Sequence, residues 1–354
     1  MLKNFKIKNK IISNYGRVFI IAEAGVNHNG SIKIAKKLID AAVFAGADAV
    51  KFQTFNTDDI VTTKSPKSRY HKITSGSDKK QTWYNMLKSQ ELNYEQHKEL
   101  IKYCKLKKII FLSTPYDFKS VDLLDELKVP AFKIASTDNN NYPLLKYISK
   151  KKKPIILSTG MSNIKEVKDA INILKSFNQK KIAILQCTSS YPCKLSDLNL
   201  LVIKSFQDEF NCPIGFSDHS DEILPAIVTA SMGSSIYEKH LTLDKAMKGP
   251  DHRASCTPKE LKDIVKKIRQ IKILHGSQKK IVLDSEIENR IKLKKSLVSL
   301  DYIKKGEVIK KASVGIKRPA TGLFPIYFNV IDQYVSKKDI KPGTILKLNM
   351  LKKK

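Results

Sequence analysis

A strand pattern followed by a helix pattern recurs along the first 275 residues, and this alternation constrains the fold more than any other feature of the sequence. Strands that alternate with helices pair in parallel, and eight such units favour a closed (β/α)8 TIM barrel over an open α/β sheet. The predicted strands are 18–22, 48–53, 109–113, 130–135, 154–158, 181–186, 213–216 and 235–239. The predicted helices are 32–45, 95–107, 117–127, 142–150, 163–176, 198–209, 221–232 and 258–274.

The pattern changes after residue 275, which predicts a barrel domain over 1–275 and a second, β-rich domain over 295–354. Between them, 276–294 is predicted to be a linker with a short helical or irregular piece. The second domain is predicted to consist of short strands and turns, at 296–300, 305–309, 314–319 and 341–346. A domain of about 60 residues is marginally stable alone, so we expect it to pack on another surface.

The segment 55–94 interrupts the second strand-helix unit. Residues 61–82 within it are rich in Thr, Ser, Lys and Gly. Long insertions of this composition in a barrel are typically functional loops. We therefore predict a loop that covers a substrate.

The net charge of +31 raises the question of nucleic-acid binding. Most of the positive charge comes from lysines spread along helix faces, such as 145–153 and 259–272, and not from arginines and aromatic residues in one stripe. This distribution is typical of solvated helix faces. It argues against nucleic-acid binding as the main function, although it is compatible with attraction of anionic substrates.

Cysteine usage and hydropathy predict a cytoplasmic protein. The five cysteines form no CxxC pair, and their odd count argues against a disulfide framework. No apolar run approaches the ~20 residues that a membrane helix needs. The first residues also lack the apolar region of a secretory signal.

Two histidines lie at the ends of consecutive predicted strands. His219 follows the strand 213–216, and His240 follows the strand 235–239. Asp218, Glu238 and Asp251 lie near them in the sequence, and imidazole with carboxylate suits Mn, Zn or Fe. We therefore predict a divalent-cation site, against the alternative that both histidines are ordinary surface or core residues.

Polar residues lie at or near the carboxyl ends of all eight predicted strands. In a TIM barrel the carboxyl ends of the strands build the active site. These residues are Glu23, Lys51, Gln53, Thr114, Lys133, Ser136, Ser158, Gln186, Thr188, Tyr191, Ser217, His219, Glu238 and His240.

Lys51 and Lys133 stand within apolar strands, where an unpaired charge is costly. An anion such as phosphate would pair with both, and nearby hydroxyl groups would add hydrogen bonds. The alternative for the lysines is an internal ion pair with a carboxylate such as Glu23. The alternative for the serines and threonines is capping of the helices that follow.

Several motifs in order resemble the sialic acid synthase family, which comprises N-acetylneuraminate synthases and their legionaminate and pseudaminate relatives. The resemblance covers nearly the whole chain, and the tail looks like the antifreeze-protein-like (SAF) domain of that family. The motifs are IAEAGVNHNG (21–30), AVKFQ (49–53), STP (113–115), FKIAS (132–136), LSTGM (157–161), QCTSSYP (186–192), FSDHS (216–220), EKHLTLD (238–244) and GPDHRAS (249–255).

The resemblance implies an enzyme that condenses phosphoenolpyruvate with an N-acetylmannosamine-type sugar to a nine-carbon 2-keto acid and phosphate. It implies that His219 and His240 hold Mn²⁺, or Mg²⁺ or another divalent cation, with Glu23 close to the reacting carbons. It also implies a homodimer in which the C-terminal domain of each subunit reaches over the barrel of the other. The sugar would meet Tyr191 and Asp251 of one chain and Arg318 of the partner subunit. The residues implied to bind phosphoenolpyruvate are Lys51, Thr114, Lys133, Ser136, Ser158 and Ser217.

The sequence departs from the family pattern near the expected sugar. It has Thr137 and Asp138 where many members have Gly-Glu, and Ser189 where some have Asn. The acceptor therefore stays open between N-acetylmannosamine, its 6-phosphate and a 2,4-diacetamido-trideoxy sugar. The product is accordingly N-acetylneuraminate, its 9-phosphate, legionaminate or pseudaminate. Rival interpretations are a keto-sugar-acid phosphate synthase and a non-catalytic sugar- or nucleic-acid-binding protein.

Overall fold

The computed structural model describes residues 4–67, 74 and 82–354, which form two compact units. The first unit is Met1–Gly276 and the second is Ser277–Lys354. No helix in the described ranges is both long enough and apolar enough to span a bilayer.

Eight parallel strands form the sheet of the first unit, in the order β5-β4-β3-β10-β9-β8-β7-β6. The end strands β5 and β6 contact each other, so the sheet curls into the predicted barrel. A short antiparallel hairpin, β1 (Phe5–Ile7) and β2 (Lys10–Ile12), precedes it. The barrel strands are β3 Phe19–Gly25, β4 Ala49–Thr54, β5 Ile110–Pro115, β6 Phe132–Ile134, β7 Ile155–Ser158, β8 Ile182–Cys187, β9 Ile214–Asp218 and β10 Ile236–His240.

Helices connect these strands, and local sequence signals set their ends. The first helix begins after Ser31, whose hydroxyl accepts from Ile34 N, and ends at Gly46, whose φ of 80° is left-handed. The helices are α1 Ile32–Ala45, α2 Thr57–Ile60, α3 Trp83–Lys88, α4 Tyr94–Leu106, α5 Phe118–Glu126, α6 Tyr142–Lys150, α7 Ile164–Ser176, α8 Val202–Glu209, α9 Leu224–Ser231 and α10 Pro258–His275.

The insertion 55–94 contributes α2 and α3 to the first unit. Residues 68–73 and 75–81 lie outside the described residues. The insertion 55–94 is the predicted covering loop, and part of it therefore falls outside the described residues.

Apolar residues fill the barrel at the end where the strands begin. The hairpin residues Phe5, Ile7 and Ile12 belong to the same buried cluster as Phe19 and Ile236, the first residues of β3 and β10. Ile7 and Ile12 are fully buried. The hairpin therefore closes this end of the barrel. The sequence reading missed it because its strands are only three residues long.

The second unit is β-rich, as predicted, and has its own core. Helix α11 (Asp284–Leu293) lies within the predicted linker. Strands β11 (Ser296–Ser299) and β12 (Val314–Lys317) pair with each other, as do β13 (Tyr334–Ser336) and β14 (Leu351–Lys353). The runs 305–309 and 341–346 form no strand, and they take part only in the isolated bridges Val308–Val335 and Val298–Ile345.

Asp48 joins the hairpin, the sheet and the last barrel helix. Its buried carboxylate accepts from Arg17 Nη1 at 2.6 Å, from Arg269 Nη2 at 2.7 Å and from Ile20 N at 3.0 Å. Lys10 Nζ lies 3.3 Å away. Burial alone would raise the pKa of Asp48, but the hydrogen bonds from Ile20 and Arg17 and the charge of Arg269 lower it below its ordinary value.

We predict that Asp48→Asn lowers the free energy of unfolding by about 2–4 kcal/mol at pH 7, because the arginines then face no carboxylate. The folded-state pKa lies below the unfolded value of about 3.9, so the contribution is present above about pH 5. It is lost as the pH falls through the lowered pKa. Urea unfolding of both proteins at pH 7 and at pH 3.5 measures the difference.

The exposed Asp263 on α10 supplies the control. Asp263→Asn should change the unfolding free energy by less than about 0.5 kcal/mol. An equal effect of both substitutions would contradict a specific role for Asp48.

Candidate active site at the carboxyl ends of the barrel strands

A cavity of about 640 Å³ opens among the carboxyl ends of the barrel strands, and we call it the lysine cavity. Every strand from β3 to β10 contributes to it directly or through the loop that follows. Its predicted site residues are Glu23, Lys51, Gln53, Thr114, Lys133, Ser136, Ser158, Ser189, Tyr191, Ser217, His219 and His240. Its other residues are Tyr116, Ala135, Thr137, Met161, Cys187, Ser190 and Glu238.

A second cavity, of about 500 Å³, adjoins the first, and we call it the acidic cavity. The predicted site residues Asp138 and Asp251 line it. The residues common to both cavities are Gln53, Tyr116, Thr137, Tyr191 and His240. The remaining residues are Val26, Phe55, Asp59, Ile60, Val61, Trp83, Met86, Leu87, Gln90, Asn141 and Pro250.

Arg318 belongs to the second unit. Its side chain is exposed there, and its Nε donates to Leu293 O at 2.9 Å. Its predicted contact with a sugar in a partner subunit stays a prediction.

Both predicted lysines have carboxylate partners inside the lysine cavity. Lys51 Nζ lies 2.8 Å from Glu23 Oε2 and 3.9 Å from Glu238 Oε2. Lys133 Nζ lies 3.3 Å from Glu238 Oε1. Thr114 and Ser158 accept hydrogen bonds from Lys51 and Lys133 at 3.0 and 2.7 Å. The internal ion pairs expected as the alternative for these lysines are therefore present.

Glu238 is the carboxylate that the two lysines share, and the sequence reading gave it no substrate role. Burial opposes its ionisation, but Lys133 and Lys51 lower the pKa of Glu238 to about 2. Burial raises the pKa of Glu23 to about 7, with Glu238 adding to the shift and Lys51 opposing it. When Glu23 is protonated, two ammonium groups face one carboxylate. An entering anion then meets a net positive charge.

The imidazoles of His219 and His240 lie together, with ring centroids 5.5 Å apart. The ring centroid of Tyr191 lies 4.2 Å from that of His219 and 5.8 Å from that of His240. His219 Nδ1 lies 2.8 Å from Thr188 O, which can only accept, so Nδ1 carries a proton and, when the ring is neutral, Nε2 has the lone pair.

His240 has a buried ring nitrogen without a hydrogen-bond partner. Its Nδ1 lies 3.9 Å from Asp251 Oδ2, which is beyond hydrogen-bond distance. Burial, together with the charges of His219 and Lys51, lowers the pKa of His240 well below its usual value. The ring is therefore neutral at pH 7. A neutral imidazole with an unpartnered nitrogen fits a metal ligand.

The described residues contain no group of three or more His, Cys, Asp or Glu side chains placed to hold a metal ion. A cation held here would therefore take two imidazole ligands from the chain. Water or substrate would fill its other positions, as in metal sites that keep open coordination for catalysis.

Sequence reasoning missed Cys187 and Tyr116. Cys187 Sγ lies 3.8 Å from His219 Nδ1 and accepts from Ser136 Oγ at 3.6 Å. A signal was available, since Cys187 ends a strand whose neighbours end in site residues. Tyr116 follows the STP motif directly and is half-buried, and desolvation raises its pKa well above the usual value.

Comparison with known proteins places the chain in a family. Residues 38–280 match the NeuB family and residues 294–352 match the SAF domain. The chain belongs to the NeuB family. The resemblance to sialic acid synthases, the barrel and the SAF domain predicted from the sequence are thereby confirmed.

The individual relatives of this NeuB-family chain are named as synthases of related sugar acids. It is 42% identical to the N,N'-diacetyllegionaminic acid synthase of Campylobacter jejuni, over 94% of this chain and 99% of that protein. It is 36% identical to the human N-acetylneuraminate-9-phosphate synthase, over 84% and 82% of the two chains. A solved N-acetylneuraminic acid synthetase from Leptospira borgpetersenii superposes with a TM-score of 0.71 at 33% identity, over 82% and 95%.

A buried ion pair joins the two residues that immediately precede the histidines. Asp218 precedes His219 and Lys239 precedes His240, and the two residues are register partners in β9 and β10. Lys239 Nζ lies 3.0 Å from Asp218 Oδ2, to which Tyr237 OH donates at 2.6 Å.

The chain after His219 is held by the same ion pair. Ser220 N and Oγ donate to Asp218 Oδ1 at 2.8 and 2.7 Å, and Lys239 Nζ donates to Ser220 O. The pair therefore ties together the strand ends that carry both imidazoles.

We predict that Asp218→Asn lowers the free energy of unfolding by about 3–5 kcal/mol, because it leaves the ammonium of Lys239 buried without a counter-charge. The double variant Asp218→Asn/Lys239→Met should regain most of this loss, since neither charge remains. Denaturant unfolding of the two single variants and the double variant forms a double-mutant cycle. A double variant as unstable as the sum of the single variants would contradict the prediction.

Proposed function

We propose that this chain condenses phosphoenolpyruvate with an N-acetylated amino sugar to a nonulosonic acid and phosphate. The observation that carries the proposal is the junction of two chemically different cavities at Tyr191 and His240. One contains two buried lysines, which suits a small polyanion. The other contains carboxyl, amide and apolar groups, which suits a neutral sugar.

The lysine cavity would bind phosphoenolpyruvate through charge and hydroxyl hydrogen bonds. Lys51 and Lys133 provide the charges, and protonation of Glu23 frees Lys51 from one of its two carboxylate partners. Buried ammonium groups bind phosphate strongly because the site excludes competing water. The hydroxyl groups proposed to assist are those of Thr114, Ser136, Ser158 and Ser217.

His219 and His240 are proposed to hold Mn²⁺, or Mg²⁺ or another divalent cation. Such an ion would supply Lewis-acid polarisation of the aldehyde of the acceptor. The unpartnered Nδ1 of His240 and the tautomer fixed in His219 by Thr188 O support this assignment.

Glu23 is proposed to act on the carbons that react. The enol carbon of phosphoenolpyruvate forms a bond to the aldehyde carbon, and positive charge develops at C2. The carboxylate of Glu23 stabilises that charge and orients the water that adds to C2. The resulting tetrahedral species expels phosphate, whose charge the two lysines hold. Tyr191, Asp251, Asp138 and Ser189 are proposed to meet the sugar.

The names of the relatives support this reaction class. One is a diacetyllegionaminic acid synthase and another a neuraminate-9-phosphate synthase, so the family includes different acceptors. We propose N-acetylmannosamine or a related 2-acetamido sugar as the acceptor. The homodimer, with Arg318 of the partner subunit near the sugar, remains a prediction.

Phosphate release tests the proposed reaction. Protein, phosphoenolpyruvate, Mn²⁺ and a panel of acetamido sugars should release phosphate only when all components are present. A chelator should abolish release, and added Mn²⁺ should restore it. His240→Ala should weaken Mn²⁺ binding, measured by calorimetry, by about ten-fold or more, whereas His275→Ala at the exposed end of α10 should not. Phosphate release that requires neither a sugar nor a metal ion would contradict the proposal.

Glu23→Gln separates binding from chemistry. The amide keeps the shape of the side chain but carries no charge, so turnover should fall by about 10²-fold or more. The affinity for phosphoenolpyruvate should change little. Burial raises the pKa of Glu23 and the chemical step needs its carboxylate, so wild-type turnover should rise with pH and the variant should lose the rise. Equal losses of affinity and turnover would instead make Glu23 a structural residue.

A further inference from the structure

Glu238 lies inside the lysine cavity, beside the groups that are proposed to bind phosphate. Its side chain is buried on β10, and its Oε1 lies 3.3 Å from Lys133 Nζ. Its Oε2 lies 3.9 Å from Lys51 Nζ and makes no hydrogen bond. A carboxylate beside two ammonium groups stays ionised, so it can only accept hydrogen bonds.

Ser217 has one hydroxyl proton, and Glu238 accepts it in a hydrogen bond. Ser217 Oγ lies 3.2 Å from Glu238 Oε1, and because the carboxylate can only accept, the serine donates. While this hydrogen bond is formed, Ser217 has no proton to donate to a phosphate oxygen. A bound phosphate and Glu238 therefore compete for the same three partners, which are Ser217, Lys51 and Lys133.

Glu238 also repels an anion that the lysines hold. Burial raises the pKa of Glu23 to about 7, so that carboxyl group can be neutral when an anion is bound. Glu238 keeps its negative charge between the two ammonium groups. Like charges repel more strongly inside a protein than in water, because the effective dielectric constant is lower there. Glu238 therefore lowers the affinity of the lysine cavity for a small anion.

The proposed condensation leaves phosphate in the cavity that phosphoenolpyruvate entered. Two buried ammonium groups without an opposing carboxylate would hold phosphate tightly, and slow product release limits the turnover of many enzymes. Phosphoenolpyruvate carries a carboxylate as well as a phosphate, so it can meet the two lysines through different groups. Orthophosphate has a single anionic group, so we expect the competing carboxylate to lower its affinity by the larger factor.

We propose that Glu238 competes with bound phosphate for Lys51, Lys133 and Ser217 and thereby speeds release of the phosphate product. The inference rests on the proposed condensation and assigns a residue to its release step. Glu238 acts through the lysines and the serine, so it is a positioning residue.

The phosphate affinity of Glu238→Gln tests the competition. The amide keeps the shape of the side chain and removes its charge, and calorimetric titration with inorganic phosphate needs no acceptor sugar. We expect this variant to bind phosphate about ten-fold or more tightly than wild type, because the repulsion at such short range is lost. Glu222→Gln, at an exposed position after β9, changes the net charge equally. It should leave the affinity within about two-fold, since solvent and salt screen its charge.

Glu238→Asp is a second variant, which keeps a counter-charge for the lysines in case Glu238→Gln does not fold. Its shorter side chain withdraws the carboxylate from Ser217 and from both ammonium groups. Phosphate affinity should rise by about two-fold or more and lie between those of wild type and Glu238→Gln. Circular dichroism and thermal unfolding establish that each variant is folded. A residue that only maintains the shape of the cavity would give the opposite sign, namely weaker phosphate binding in both variants.

Rapid-quench kinetics measure the release step during turnover. With phosphoenolpyruvate, Mn²⁺ and a sugar that supports phosphate release, Glu238→Gln should form product in a first-turnover burst. A steady state about ten-fold slower than that of wild type should follow, because single-turnover and burst kinetics separate chemistry from product release. Added orthophosphate should inhibit the variant at lower concentrations than it inhibits wild type.

The outcomes separate the inference from the reaction. Unchanged or weaker phosphate binding in the folded variants would overturn the inference while the condensation stands. Tighter binding that appears only when Mg²⁺ is present in the titration would assign the effect to the cation and also overturn it. Tighter binding without a burst would overturn the role in release. No phosphate release with any sugar would overturn the condensation and, with it, the release step, even if phosphate binding rises as expected.

Discussion

The burial of two lysines and two glutamates at the mouth of the barrel is the constraint on which the rest of the site depends. Each charge would be costly alone in this environment. The strands β3, β4, β6 and β10 bring the four groups together, and the shared carboxylate Glu238 contacts both lysines. An anion can then enter a site whose charges are already fixed in place, which is the arrangement that electrostatic catalysis requires.

Ion pairs also hold the scaffold at both ends of the strands. Asp48 joins the hairpin, β3 and α10 near the starts of the strands. Asp218 and Lys239 join β9 and β10 at their carboxyl ends, immediately before the histidines. The carboxylate of Asp48 accepts from several elements that are distant in sequence, whereas that of Asp218 accepts from β10 and from the adjacent Ser220. These contacts fix the strand starts at one end and the strand ends beside the histidines at the other.

The site residues at the strand ends could be predicted because a polar residue at the end of an apolar run marks the carboxyl end of a strand in a parallel barrel, where the active site lies. Lys51, Lys133, His219 and His240 were found in this way. The sharing of Glu238 between the lysines could not be found, because it depends on side-chain reach across the barrel. Cys187 was missed because a cysteine in an apolar strand cannot be distinguished by sequence from an ordinary core residue. In the second unit, 305–309 and 341–346 are apolar enough for strands but form only isolated bridges.

The hairpin formed by β1 and β2 limits where molecules can enter and leave the barrel. Because Ile7 and Ile12 are buried in the apolar cluster where the strands begin, the described residues leave no channel through that end of the barrel. If the proposed condensation takes place here, both reactants and both products would use the opening at the carboxyl ends of the strands. The proposed nine-carbon acid would then have to leave before the next sugar could enter, so product release would compete with substrate entry.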